Sequence, residues 1–117
     1  MPPPSSLAIA TGALQRLIKE EASYHDELKG QEARLQKLTN SSDEDGNHDW
    51  NIRQERTAIE QTRAVFPSLK QRISEAQANV KRQLEEGENS GVNEIEVKRA
   101  KELLESVEEK VASDTLR

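Results

Sequence analysis

Residues 50–86 read WNIRQERTAIEQTRAVFPSLKQRISEAQANVKRQLEE, and in them Ile52, Ile59, Phe66, Ile73 and Val80 recur at strict intervals of seven. That spacing keeps one narrow apolar stripe of a helix turned toward a partner helix, whereas a strand would need strict alternation. Weaker companions follow the same count: Glu55, Thr62, Leu69, Ala76 and Gln83. The stretch therefore predicts one long helix, about residues 49–87, with its seam turned inward. Pro67 lies in its middle and removes one backbone hydrogen bond. Because the heptad phase continues across it, a kink is expected there and not a break.

Upstream, a second heptad pattern covers about residues 6–40. One seam carries Leu7, Leu14, Glu21, Leu28 and Leu35, the other Ala10, Leu17, Tyr24, Gln31 and Leu38. Ser5 or Ser6 stands ready to cap its start. Residues 40–49 are all polar or Gly and predict a loop, with Asn47 or Asp49 as the next cap. Gly87 to Gly91 predicts a second loop, and about residues 92–113 a third helix. Its seam is Val97, Ala100, Leu104, Val107 and Val111, widened by Ile95 and Leu103, and Asn93 with Glu96 could form a capping box.

These segments predict an all-α, antiparallel three-helix bundle, up-down-up, as one coiled-coil-like rod over residues 1–117, with residues 1–5 and 114–117 flexible. Setting Leu38 against Ile52 also sets Gln31 by Ile59, Tyr24 by Phe66 and Leu17 by Ile73, so both seams stay matched. The first two helices would each be about 50 Å long. On this alignment Glu32 lies close to Arg56, one of three cations (Arg56, Arg63, Lys70) spaced by seven beside the second seam.

Composition agrees. Hydrophobic residues are 32% of the 117, against roughly 45–50% in an ordinary globular domain, enough for stripes and not for a thick core. Only Trp50, Tyr24 and Phe66 are aromatic, which leaves little to build a sheet from. With no cysteine, disulfides, thiolate metal sites and thiol catalysis are excluded together. No apolar run reaches the roughly 18–20 residues of a membrane span, and the Pro2–Pro4 start does not resemble a secretory leader. A net charge of −5 gives no general attraction to nucleic acid or anionic lipid. A protein partner is what remains.

Chemistry fits poorly. With Gly46 at the sixth place of a calcium-binding loop, the first place would be Ser41 and the twelfth Ile52, where Asp and Glu are required. His25 and His48 have no second histidine at ligand spacing, and no nucleotide-binding or nucleophile motif occurs. No cofactor, metal or catalytic residue is expected, and an enzyme is not.

The chain resembles the tubulin-binding cofactor A family over about residues 8–113. In the first helix the resemblance rests on Thr11-Gly12, Arg16-Leu17, Lys19-Glu20, Tyr24 and Gln31-Glu32. It continues through the Glu44-Asp45-Gly46 turn and then Gln61, Arg63, Pro67, Arg72 and Glu75-Ala76. It closes on Glu96-Val97-Lys98-Arg99-Ala100 and Ser106-Val107. The resemblance implies a three-helix cytoplasmic chaperone of the microtubule cytoskeleton. Such a chaperone captures β-tubulin after the cytosolic chaperonin and passes it toward αβ-dimer assembly without nucleotide. β-Tubulin is the implied partner, with other tubulin-folding cofactors as further candidates, and neither nucleic acid nor membrane is involved. The implied client is acidic like the chain itself, so attraction must be local. Lys19, Glu20, Gln31, Glu32, Arg63, Pro67 and Arg72 are the expected contact residues. The oligomeric state, monomer or homodimer, stays open, and so does a second reading as a generic coiled-coil assembly module.

Overall fold

The computed structural model describes residues 4–41, 46–90 and 93–115. They form three helices and, among the described residues, no strand: α1 (Ser6–Asn40), α2 (His48–Ser90) and α3 (Glu94–Thr115). The acidic residues 43–45 and most of the ends expected to be flexible lie outside the described residues. Ser5 and residues 114–115 do not: Ser5 caps α1 and 114–115 are helical.

Each helix start has a local cause. The Ala8 N–H donates to Ser5 Oγ at 3.0 Å, so Ser5 is the cap of α1. The Asn51 N–H donates to the Asn47 carbonyl at 2.9 Å and opens α2 with Asn47 as cap. Gly46 before it has φ +79°, a left-handed conformation that glycine adopts without the steric cost of a side chain. At α3 the Ile95 N–H donates to Asn93 Oδ1 at 2.8 Å, but the expected capping box is only half formed. Glu96 does not reach back; its Oε2 accepts from Ser5 Oγ at 2.6 Å and ties the start of α3 to the start of α1. α2 runs unbroken through Pro67 and past Gly87 to Ser90, so the expected loop starts late. One glycine costs a helix about 1 kcal/mol, too little to end one whose preceding turns bury Val80 and Leu84.

The chain packs as two compact units, and α1 and α2 contribute to both. The first unit joins residues 1–18 to 71–117 and so holds three helices. Its core is Leu7, Ala10 and Leu14 from α1, Ile73, Val80 and Leu84 from α2, and Ala100, Leu104 and Val107 from α3. Ser5 meets Glu96 at the N-terminal ends of α1 and α3, and Thr11 and Gln15 share a groove with Arg99, Glu102 and Leu103 further along, so the two helices run parallel. Lys81 of α2 bridges to Glu108 of α3 at 3.5 Å. Two expected seam residues of α3 are corrections: Ile95 is 62% exposed and Val111 54%. Ile95 lies in line with Arg99 and Glu102, on the helix side away from Ala100 and Leu104. Val111 keeps the seam's phase but falls in the last turns of α3.

The second unit, Lys19–Lys70, contains only α1 and α2. The pair is antiparallel: Tyr24 meets Phe66, Glu32 meets Arg63 and Arg34 meets Glu55, partner numbers falling as α1 numbers rise. The Tyr24–Phe66 contact, centroids 6.4 Å apart and edge-on, is the register predicted from the seams. Fewer apolar side chains are sealed here. Ile59 and Leu69 are buried with Gln31 and Thr62, while Leu28, Leu35, Leu38, Ile52 and Phe66 stay half-buried. Two helices can hide a seam from each other but not from the side.

Candidate functional site: an exposed face on a helix pair

Six of the seven expected contact residues fall in the two-helix unit, and Arg72 falls in the three-helix unit. Lys19, Glu32, Arg63 and Pro67 are exposed, Glu20 is partly buried, and Arg72 is exposed. The heptad accounts for this, because these residues, Gln31 apart, avoid the two seams that pair α1 with α2.

Gln31 is the exception. It was expected on the surface beside Glu32, but only 6% of it is exposed, because its seam position turns it toward Ile59. Its Oε1 is buried without a hydrogen-bond partner among the described residues. An unsatisfied buried amide oxygen carries a desolvation penalty with nothing to offset it. Gln31→Leu is therefore expected to stabilise the chain by roughly 1–2 kcal/mol, read as a higher urea midpoint at unchanged slope. A lower midpoint would show that the oxygen is satisfied after all.

Glu32 pairs with Arg63 and not with Arg56. Arg63 Nη2 donates to Glu32 Oε1 at 3.0 Å, both side chains being largely exposed. Such a surface pair contributes about 0–1 kcal/mol, so it orients two charges more than it stabilises. A second pair, Arg34 Nε to Glu55 Oε1 at 3.2 Å, joins the same two helices. One contact escaped the sequence: the exposed His25 ring stacks on Phe66 with centroids 4.5 Å apart. Its signal was the position after Tyr24, the residue aligned with Phe66.

Nothing in these contacts is reaction chemistry. Among the described residues no cluster of His, Cys, Asp or Glu could hold a metal ion. In the three-helix unit an open groove of about 470 Å³ is lined by Thr11, Gln15, Arg99, Glu102 and Leu103. Thr11 Oγ1 there donates to the Leu7 carbonyl at 2.8 Å, a helix-internal bond and not an activated nucleophile. No helix of the described residues is long and apolar enough to cross a membrane. The arrangement suits a binding surface: exposed charges carried on rigid helices.

Known proteins align along most of this length. The family model described as Tubulin binding cofactor A matches residues 2–104. The Tubulin-specific chaperone A proteins of Gallus gallus and Homo sapiens are each 31% identical over 101 residues, covering 86% of this chain and 89% of theirs. That of Saccharomyces cerevisiae is 35% identical over 72 residues, 62% of this chain and 65% of its own. No solved structure matches. The match takes in both α1 and α2 whole, with the half of α3 that carries Ala100 and Leu104, and the chain belongs to the tubulin binding cofactor A family.

Proposed function

We propose that this chain is a non-enzymatic tubulin-folding chaperone of the cytoplasm. It captures β-tubulin after the cytosolic chaperonin and hands it on toward αβ-dimer assembly, without nucleotide. The observation that carries the reading is the family match, which spans residues 2–104 and pairs with relatives named Tubulin-specific chaperone A. The exterior supports it. A mostly polar face of exposed charges suits moderate, salt-sensitive binding, which a holding partner needs if it must later let go.

Lys19, Glu20, Glu32, Arg63, Pro67 and Arg72 are the residues we assign to client contact. Gln31 we assign to the pairing of α1 with α2 beneath them. The primary test is a pull-down from cytosol with the tagged chain. Recovery of β-tubulin without α-tubulin supports the reading, and recovery of the chain alone points to a self-assembling module. Within that test, Arg63→Glu with Arg72→Glu is expected to weaken capture about tenfold or more while helicity by circular dichroism is unchanged. Undiminished capture by the folded double variant would remove those two residues from the contact.

A further inference from the structure

We infer that the helix pair of residues 19–70 presents a docking site for one amphipathic helix of the client, acidic along its edges. This deepens the chaperone reading and rests on it. Four observations in the pair itself carry the inference.

First, the pair holds no third helix, and its seam is left half-buried along one side. On α1 the residues His25, Leu28, Glu32 and Leu35 follow one another at spacings of three and four, so they share one side of the helix. On α2 the residues Ile52, Arg56, Ile59, Arg63, Phe66 and Lys70 do the same. Second, the two rows belong to one face, because Arg63 bonds Glu32 and Phe66 stacks on His25 across the gap.

Third, this face is apolar along its middle. Leu28, Leu35, Ile52 and Phe66 are neither sealed nor fully exposed. A helix laid over them would bury what two helices cannot bury for each other. The row on α2 runs for about 27 Å, the length of roughly five turns of helix. Fourth, the rim is positive. Arg56, Arg63 and Lys70 repeat every seven residues, and only Arg63 has an ion partner among the described residues. Arg56 and Lys70 are exposed without one. Cations flanking an apolar seam select a partner helix with acids at the facing positions, as edge charges do in coiled coils. On a chain of net charge −5, two cations fourteen residues apart on one rim, neither with an ion partner among the described residues, are a local exception, and local exceptions allow two acidic proteins to associate.

The experiment uses the full chain and β-tubulin synthesised by cell-free translation, with capture read on native gels over a series of salt concentrations. Two variants probe the face: Arg56→Glu with Lys70→Glu, which breaks no ion pair among the described residues, and Leu28→Gln with Leu35→Gln. Lys37→Glu with Lys98→Glu makes the same charge change off the face, at two exposed positions, and serves as control. Both face variants are expected to lose about tenfold or more in capture, with the control within about twofold of the unsubstituted chain. Reversing Arg56 and Lys70 should also remove most of the salt dependence. Circular dichroism and melting verify folding, and should the Leu28/Leu35 variant not fold, the charge variant decides alone. Charge reversal on the face weakening capture no more than the control overturns the proposal. So does sedimentation showing that the Leu28/Leu35 variant merely turns a dimer into a monomer with capture intact, since the face would then hold a second copy. If the unsubstituted chain captures no β-tubulin, the chaperone reading fails and the docked helix with it. Capture that is normal in every variant rejects the docking site and leaves the chaperone reading standing.

Discussion

Leu14→Ala should cost about 2–5 kcal/mol, the range for deleting a fully buried leucine side chain. Leu14 is 0% exposed, on the first-helix seam of the unit in which three helices meet. The loss has two parts. The removed carbons forfeit their transfer from water, and the space they leave cannot close because side chains of α2 and α3 fix its walls. The second part makes this site worse than a seam leucine of the two-helix unit. Leu28 is half-buried, its surroundings include solvent, and Leu28→Ala should cost about half as much or less. Small domains hold roughly 5–15 kcal/mol in all, so Leu14→Ala removes a large share. The measurement is a urea titration followed by far-ultraviolet circular dichroism, with Leu28→Ala in parallel. Equal losses at the two positions would contradict the sealed core assigned to the three-helix unit.

Much of that core was legible because a heptad is a geometric statement. Residues seven apart on a helix lie nearly in line, so Ile59, Ile73 and Val80 had to share a side, and all three are buried. The antiparallel register followed from matching two seams, and Tyr24 against Phe66 obeys it. The count then drifts. A straight helix turns about 20° per heptad away from a seven-residue repeat. Over the four heptads from Ile52 to Val80 the drift approaches the angle of one residue. That is why Leu84 is buried where the count points to Gln83. At Ile95 the reverse happened: hydrophobicity invited a place on the seam that helical phase denies it.

The face was less legible, for reasons of side-chain direction. Seam alignment puts Glu32 one residue past the Gln31–Ile59 level, with Arg56 three residues before Ile59 and Arg63 four after it. Spacing alone favours Arg56, two residues from the level of Glu32 against five for Arg63. Long helical side chains lean toward the N-terminus of their own helix. In an antiparallel pair Glu32 and Arg63 therefore lean toward each other, and Arg56 leans away. The 3.0 Å bond to Arg63 is the result. Gln31 shows the opposite failing, since its place on the seam was plain and its surface role came only with Glu32 beside it in the family pattern. The half-buried seam of residues 19–70 was out of reach of periodicity, because the same repeat describes a stripe covered by one helix or by two.

Pro67→Ala should raise stability by about 2 kcal/mol. Proline in a helix interior is about 3 kcal/mol less favourable than alanine, because it lacks the N–H and its ring presses on the carbonyl four residues earlier, here that of Arg63. Against this, proline restricts the unfolded chain, and that advantage of roughly 0.4–1 kcal/mol disappears with it. Packing changes the balance little, since Pro67 is exposed. α2 nevertheless runs unbroken from His48 to Ser90 with this residue inside it. A helix that carries such a cost on its surface breaks a local rule with no compensating contact, and violations of that kind gather at functional positions. The bend expected from the sequence at Pro67 would set the course of the α2 row from Ile52 to Lys70, on which the proposed client helix lies. The expected result is therefore a pair of opposite changes: a higher urea midpoint for Pro67→Ala and weaker capture of β-tubulin. A midpoint that does not rise would mean that the Arg63 carbonyl is satisfied without an amide at 67. Capture that stays level while the midpoint rises would take the proline out of the binding face and make it a residue of fold alone.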